Sequence, residues 1–115
     1  MKNQSYFEKV YFVTKKIPFG RVSTYGAIAD YLALGSARMV GWALNHCHSA
    51  ETGIPAHRVI NRKGELSGRN HFPTPTIMQE LLENESIVVD NHVVQNFKNL
   101  FWHPGEHLEP YDDIT

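Results

Sequence analysis

Cysteine is nearly absent from this chain of 115 residues: Cys47 stands alone. A single cysteine excludes an internal disulfide and fits a protein of the reducing cytosol. It also excludes the paired cysteines of a structural zinc site. The seven histidines do not replace them. His46 and His48 flank Cys47, but residues two apart on a helix face different ways, and His103 and His107 have no cysteine pair near them. No metal and no cofactor are expected. No apolar run approaches about 18 residues, so no membrane-spanning helix is expected. The stretch Met1 to Lys9 is polar and charged, unlike a secretory signal. Neither a glycine-rich phosphate loop nor a serine-histidine-acid arrangement is visible.

What is present suffices for one modest core. Hydrophobic residues make up 42% of the chain, which excludes a disordered segment, and the length suits a single domain spanning 1–115. The net charge of −1 hides an asymmetry. Residues 1–69 carry ten Lys/Arg against four Asp/Glu, whereas residues 70–115 carry one lysine against eight Asp/Glu. A basic, nucleic-acid-facing surface can therefore exist on a nearly neutral protein.

The pattern of apolar residues predicts mainly helix with small β-hairpins. Ser5 and Glu8 have capping-box spacing. Tyr6, Val10, Val13 and Ile17 form one apolar face, and Pro18 and Gly20 end that helix. Thr24 caps a second helix carrying Ile28, Ala29 and Leu32, which Gly35 closes. Ser36 caps a third after a very short turn. Helix, tight turn, helix is the helix-turn-helix pattern. In the third helix Val40, Ala43, Leu44 and Cys47 face the core, leaving Arg38, Trp42 and Asn45 on the opposite face. Beyond a loop at 49–53, His57 to Ile60 reads as a strand, Asn61 to Gly64 as a turn, and Glu65-Leu66 as the return strand of a wing. Thr76 and Gln79 suggest another capping box ahead of Ile77, Leu81 and Leu82. Ile87 to Val94 reads as a hairpin around Asp90-Asn91. The segment from Phe97 packs back on the domain, and residues 105–115 form an acidic, frayed tail.

The chemically odd stretch is Ile54-Pro55-Ala56-His57-Arg58-Val59-Ile60-Asn61. A base and a positive charge normally surround a nucleophile that they activate. Here they surround a methyl group. The stretch resembles the Pro-Cys-His-Arg-Val segment of the O6-alkylguanine-DNA alkyltransferases, with alanine at the position of the alkyl-accepting cysteine. Three further blocks, in order, carry the same resemblance. They are Ile17-Pro18-x-Gly20-x-Val22-x-Thr24-Tyr25-Gly26-x-Ile28-Ala29, then Ala37-Arg38-x-Val40-Gly41, and Leu81-Leu82-x-x-Glu85. Replacement of the cysteine marks the alkyltransferase-like group, as does the expectation that no other domain precedes these blocks.

The resemblance implies a winged helix-turn-helix like the alkyltransferase C-terminal domain, bound to double-stranded DNA through the minor groove. Sequence preference there should be weak. Tyr25, next to Thr24, would crowd the phosphate beside the target nucleotide and drive its rotation. Arg38 would fill the gap left by the extruded base. Ala37 and Gly41 would allow close approach, with Trp42 beside them. Pro55, Ala56 and His57 would line the lesion pocket. Arg69 and Asn70 stand where the enzymes carry a tyrosine and a serine that senses O6, and alkyltransferase-like proteins tend to have an arginine there. Glu85 matches the glutamate behind the histidine, and Asn45 lies near the family's bridging asparagine. Arg58 is expected to pair locally.

The function implied is a monomeric, cytoplasmic binder of O6-alkylguanine that flips the base without accepting its alkyl group. It would flag the lesion for nucleotide excision repair proteins. Rival readings are alkyl transfer through another residue such as Cys47, and a winged-helix transcription regulator.

Overall fold

The structure is a computed structural model in which residues 2–47 and 52–110 are described, with side chains from Tyr6 onward. His48, most of the 49–53 loop and tail residues 111–115 lie outside the described residues, and the first helix begins at Lys2, so Ser5 lies within it and does not cap it as expected.

Helix α1 runs Lys2–Lys16, with Lys15 and Lys16 in its last turn, where cations complement the helix dipole. Val10, Val13 and Ile17 are buried as their spacing predicts. Thr14 sits buried among them because its hydroxyl donates to the Val10 carbonyl at 2.7 Å. Thr24 caps α2 (Tyr25–Leu32) as expected, its hydroxyl accepting from the Ala27 N–H at 3.0 Å.

The end of α2 differs from expectation. Ala33, not Gly35, takes the left-handed position, at φ 57°. The Leu34 N–H then bonds back to the Ala29 carbonyl at 2.9 Å, a closing bond that offsets the strain on a residue with a Cβ. Ser36 precedes α3 (Ala37–Asn45) in extended backbone but makes no capping bond with its side chain. Val40, Ala43 and Leu44 are buried. Cys47 lies past the helix end and is half-buried against the core rather than on a helical core face.

The strand expected at His57 begins later. Ala56–Arg58 form a 3-10 turn, and β2 is Val59–Ile60. It pairs in parallel with β1 (Ser23–Thr24), Ser23 against Val59 and Thr24 against Ile60. A parallel pair needs a long crossover, and here α2 and α3 supply it. The turn at Asn61 forms as expected: its side-chain oxygen accepts from the Lys63 and Glu65 N–H groups, and Gly64 follows at φ 82°. The return segment pairs elsewhere, however. β3 (Val89–Asp90) and β4 (Val93–Val94) form the predicted hairpin, but its turn falls one residue later than expected, at Asn91-His92, because Asp90 pairs with Val93. Asn91 and His92 supply the two positive φ values that a tight hairpin turn requires. Residues 64–66 lie along β4, through Val94 N–H to Gly64 O at 2.8 Å and Leu66 N–H to His92 O at 2.9 Å.

Thr76 does not cap α4 (Ile77–Glu83) with its side chain, which instead donates to the Glu80 carboxylate. Gln79 is drawn to Glu83, so no capping box forms. α5 is Phe97–Leu100. After it, Trp102 packs back on the domain, buried and stacked on His107, with its backbone N–H on the Val22 carbonyl at 2.7 Å. Within the expected tail, residues 104–106 form a 3-10 turn, and the Tyr31 hydroxyl donates to the Glu109 carbonyl.

Two apolar clusters result. One joins α1, α2, α3, Ile54, Ala56 and Trp102; the other lies under the wing and α4, around Ile60, Leu66, Met78 and Leu82. The architecture is mainly helical with small strands, as expected.

Candidate nucleic-acid interface

The outward face of α3 is built by periodicity. With Val40, Ala43 and Leu44 turned inward, Ala37, Arg38, Gly41, Trp42 and Asn45 are left on one side. All five line an open groove of about 480 Å³ together with Tyr25 and the Ser67–Gly68 and His71 loop. Arg38 is exposed in the first turn of the helix, and Trp42 is 50% exposed. An aromatic ring and a guanidinium with that freedom suit stacking and hydrogen bonding to a partner.

Behind the groove lies a second, more enclosed cavity of about 570 Å³. Its walls are mostly apolar: Leu44, Ile54, Pro55, Ala56, Phe72, Pro73, Ile77 and Leu81. Cys47 and His57 also line it. Tyr25, Asn45, Gly68 and His71 line both the groove and the cavity, so the two adjoin at these four residues, which stand where a passage between them would open. Burial pushes the Tyr25 phenol up, against the lowering effect of its hydrogen bond with Ser67.

A buried polar cluster fixes the floor of the cavity. Glu85 is 6% exposed. It accepts from His57 Nε2 at 2.7 Å, from Arg58 Nε at 2.9 and 3.0 Å, and from the Gly20 N–H at 2.7 Å. Arg58 Nη1 also donates to the Ile17 carbonyl at 2.8 Å, and its guanidinium lies over Phe19. Arg58 therefore pairs locally, as expected. Burial raises the Glu85 pKa, but the bonds from Arg58, Gly20 and His57 together outweigh it and hold the carboxyl below its ordinary value. Burial is the larger effect on His57, whose pKa lies below the ordinary imidazole value despite the bond to Glu85. The physical reason is that Arg58 already neutralises the carboxylate, so a charged imidazole would gain little in return for its desolvation. His57 Nδ1 is buried without a protein partner among the described residues.

The structure thus brings together Tyr25, Ala37, Arg38, Gly41, Trp42 and Asn45 at the groove, and Pro55, Ala56 and His57 in the cavity with Glu85 behind them. Three predicted residues fall outside. Thr24 is buried, and its hydroxyl is consumed by the helix cap. Arg69 lines neither space, because Nη1 turns back to the Leu66 carbonyl at 3.1 Å. Asn70 is exposed and also lines neither. Missed from the sequence were Ser67, His71, Phe72 and Cys47 as lining residues. Three of them sit on irregular chain without periodicity, and Cys47 follows the helix end, so spacing carried no signal for them.

A helix-turn-helix groove adjoining a cavity beside a Pro-x-His-Arg segment defines a class of DNA-binding domain. The DNA-binding domain of 6-O-methylguanine DNA methyltransferase matches this chain over residues 5–87. Alkyltransferase-like protein 1 of Schizosaccharomyces pombe is 41% identical over 90 residues, which are 77% of this chain and 82% of that protein. The structure of S. pombe Atl1 in complex with damaged DNA containing O6-carboxymethylguanine superposes with a TM-score of 0.74 at 35% identity, covering 86% of this chain and 95% of that one. The DNA base-flipping protein of Escherichia coli is 37% identical over 67 residues, 57% of this chain and 51% of its own length. The chain belongs to the alkyltransferase-like proteins, within the family of methyltransferase DNA-binding domains.

Proposed function

We propose that this protein binds O6-alkylguanine in duplex DNA by extruding the base into the cavity, and holds it without taking the alkyl group. The observation that carries this is that the groove adjoins, at Tyr25, Asn45, Gly68 and His71, a cavity whose wall includes Ala56. A base must leave the stack before its O6 edge can be read, and the passage at Tyr25 supplies the route. The methyl of Ala56 offers no nucleophile, so recognition is retained and turnover is not. The S. pombe relative crystallised with O6-carboxymethylguanine DNA supports the ligand class. Arg38 is suited to fill the vacated place in the stack. The consequence of holding a lesion without reversing it is to flag it for nucleotide excision repair and to keep true alkyltransferases off it. The protein would act as a cytoplasmic monomer.

The test is titration of otherwise identical duplexes carrying guanine or O6-methylguanine at one salt concentration, since phosphate contacts make affinity salt-dependent. Tighter binding of the lesion duplex is expected; equal affinity would leave a general duplex binder, such as a transcription regulator, in its place.

One observation favours a second reading. Cys47 lines the same cavity as Ala56, so transfer of the alkyl carbon from O6 to its sulfur, with the O6–carbon bond broken, the thiol proton passed to the base and guanine left in the strand, is the alternative. Intact mass after incubation with methylated DNA separates the two: a gain of one methyl group on the protein would replace the binder with an enzyme.

A further inference from the structure

The loop after the wing carries two N–H-bearing side chains toward the passage, and the structure treats them differently. Arg69 is turned inward as a staple, with its backbone N–H and Nη1 both on the Leu66 carbonyl, at 3.2 and 3.1 Å. His71 is exposed and lines both groove and cavity. Its side chain makes no hydrogen bond or ion pair with the described residues. Its backbone is fixed, because the His71 N–H bonds to the Gly68 carbonyl at 3.0 Å and Gly68 lies directly against the Tyr25 hydroxyl. No Asp or Glu is among the residues lining either space. An unengaged imidazole on a fixed backbone, at a passage without carboxylates, is a donor waiting for an anionic acceptor.

An extruded nucleotide places its base in the cavity and leaves its sugar and phosphates at the passage. We propose that His71 is a nucleotide-positioning residue, donating an N–H to a backbone phosphate oxygen of the extruded nucleotide. The inference rests on the lesion-binding reading above and adds to it the residue that holds the rotated backbone. The groove cation Arg38 remains free for the vacated base site, and Arg69 serves the loop.

The experiment titrates wild type, His71→Ala and His71→Gln against duplexes with guanine or O6-methylguanine. It repeats the lesion titration with a neutral methylphosphonate at the phosphate on either side of the lesion. His71→Ala should weaken lesion binding about ten-fold, the usual scale for a hydrogen bond to a charged group, and leave the unmodified duplex within about two-fold. His71→Gln keeps an N–H donor and should recover most of the loss. One of the two methylphosphonates should weaken wild type by a similar factor and cost His71→Ala nothing further. Equal losses on both duplexes, or additive losses with both methylphosphonates, would overturn the assignment. If wild type itself does not distinguish the lesion, the underlying reading falls. If it does and His71→Ala matches it, only the assignment of His71 falls.

Discussion

Gly68 has no room for a side chain because of Tyr25: a Cβ there would stand 2.6 Å from the Tyr25 hydroxyl oxygen and 3.9 Å from the ring carbon that bears it. The backbone is not the reason, since φ at Gly68 is −91°, open to any residue. The loop is laid against the tyrosine that guards the passage, and the contact holds both. Gly68→Ala should therefore push the phenol aside, weakening lesion binding at a stability cost of about 1 kcal/mol, the low end for overpacking, because the atom that must yield is the tip of a half-buried ring. Tyr25→Phe removes only the offending oxygen, so in the Gly68→Ala background it should restore stability in urea unfolding. Equal stability of Gly68→Ala and wild type would show that Tyr25 does not hold this position.

Glu85 gathers His57, Arg58 and the Gly20 N–H on one buried carboxylate. Removing one partner of a buried pair leaves the others desolvated and unpaired. Glu85→Ala should destabilise the domain by about 3–5 kcal/mol, read as a fall in the urea midpoint. Because the cluster ties the 17–20 turn to the cavity floor, lesion affinity should fall as well. A variant of wild-type stability would show that the cluster contributes nothing beyond its own desolvation.

The same cluster sets the response to acid. The His57 pKa is below its ordinary value of 6.5 when folded, so below that pH the unfolded chain binds a proton the folded one resists, and stability declines. The Glu85 pKa is also depressed below its ordinary 4.5. Its contribution is present above that value and is lost as pH falls through the lower folded pKa. Two windows should thus appear in unfolding free energy against pH, the upper one from His57. His57→Gln should flatten the upper window relative to wild type and leave the lower one. An unchanged slope between pH 7 and 5 would place the titration on another histidine.

Much of this site could be read in the chain because its parts lie on periodic or contiguous sequence. The face of α3 follows from Val40, Ala43 and Leu44 being apolar, and Pro55 to Arg58 are consecutive. The polar cluster was legible only as a resemblance, because Glu85 comes from another helix end. What escaped was set by tertiary pairing. Residues 64–66 could have paired with β2 or with β4, and no local pattern distinguishes the two. Ala33 took a position that propensity assigns to Gly35, because the closing bond from Leu34 decides it. Arg69 and His71 are two N–H-donating side chains two positions apart on irregular chain, and no spacing rule says which one meets the site; only the fold turns one to Leu66 and the other to the passage.

Arg38 and Tyr25 offer the most direct test of base extrusion. Arg38 is exposed and Tyr25 is half-buried at the passage. Arg38→Ala removes a guanidinium that packs on nothing essential, so the fold should be unaffected and lesion binding weaker, with a shallower dependence on salt if it meets phosphate. Tyr25→Ala should weaken lesion binding while leaving affinity for the unmodified duplex nearly intact. Fluorescence of 2-aminopurine paired opposite or beside the lesion reports the unstacking. Unchanged affinity in both variants would remove extrusion from the account.

Ala56→Cys asks whether the surroundings still support the lost chemistry. The new sulfur would sit on the cavity wall beside His57, whose Nε2 is held by Glu85 and whose Nδ1 is without a protein partner among the described residues. Burial keeps this imidazole neutral near pH 7, the form a base needs, and Arg58 adds positive charge nearby. Those are conditions that generate a thiolate. Incubation of Ala56→Cys with O6-methylguanine DNA should yield protein heavier by one methyl group, with guanine restored in the duplex. The double variant Ala56→Cys, His57→Gln should show little or none. If Ala56→Cys binds the lesion duplex as tightly as wild type yet gains no methyl group, the loss of reactivity has spread beyond residue 56 into the loop that frames the base.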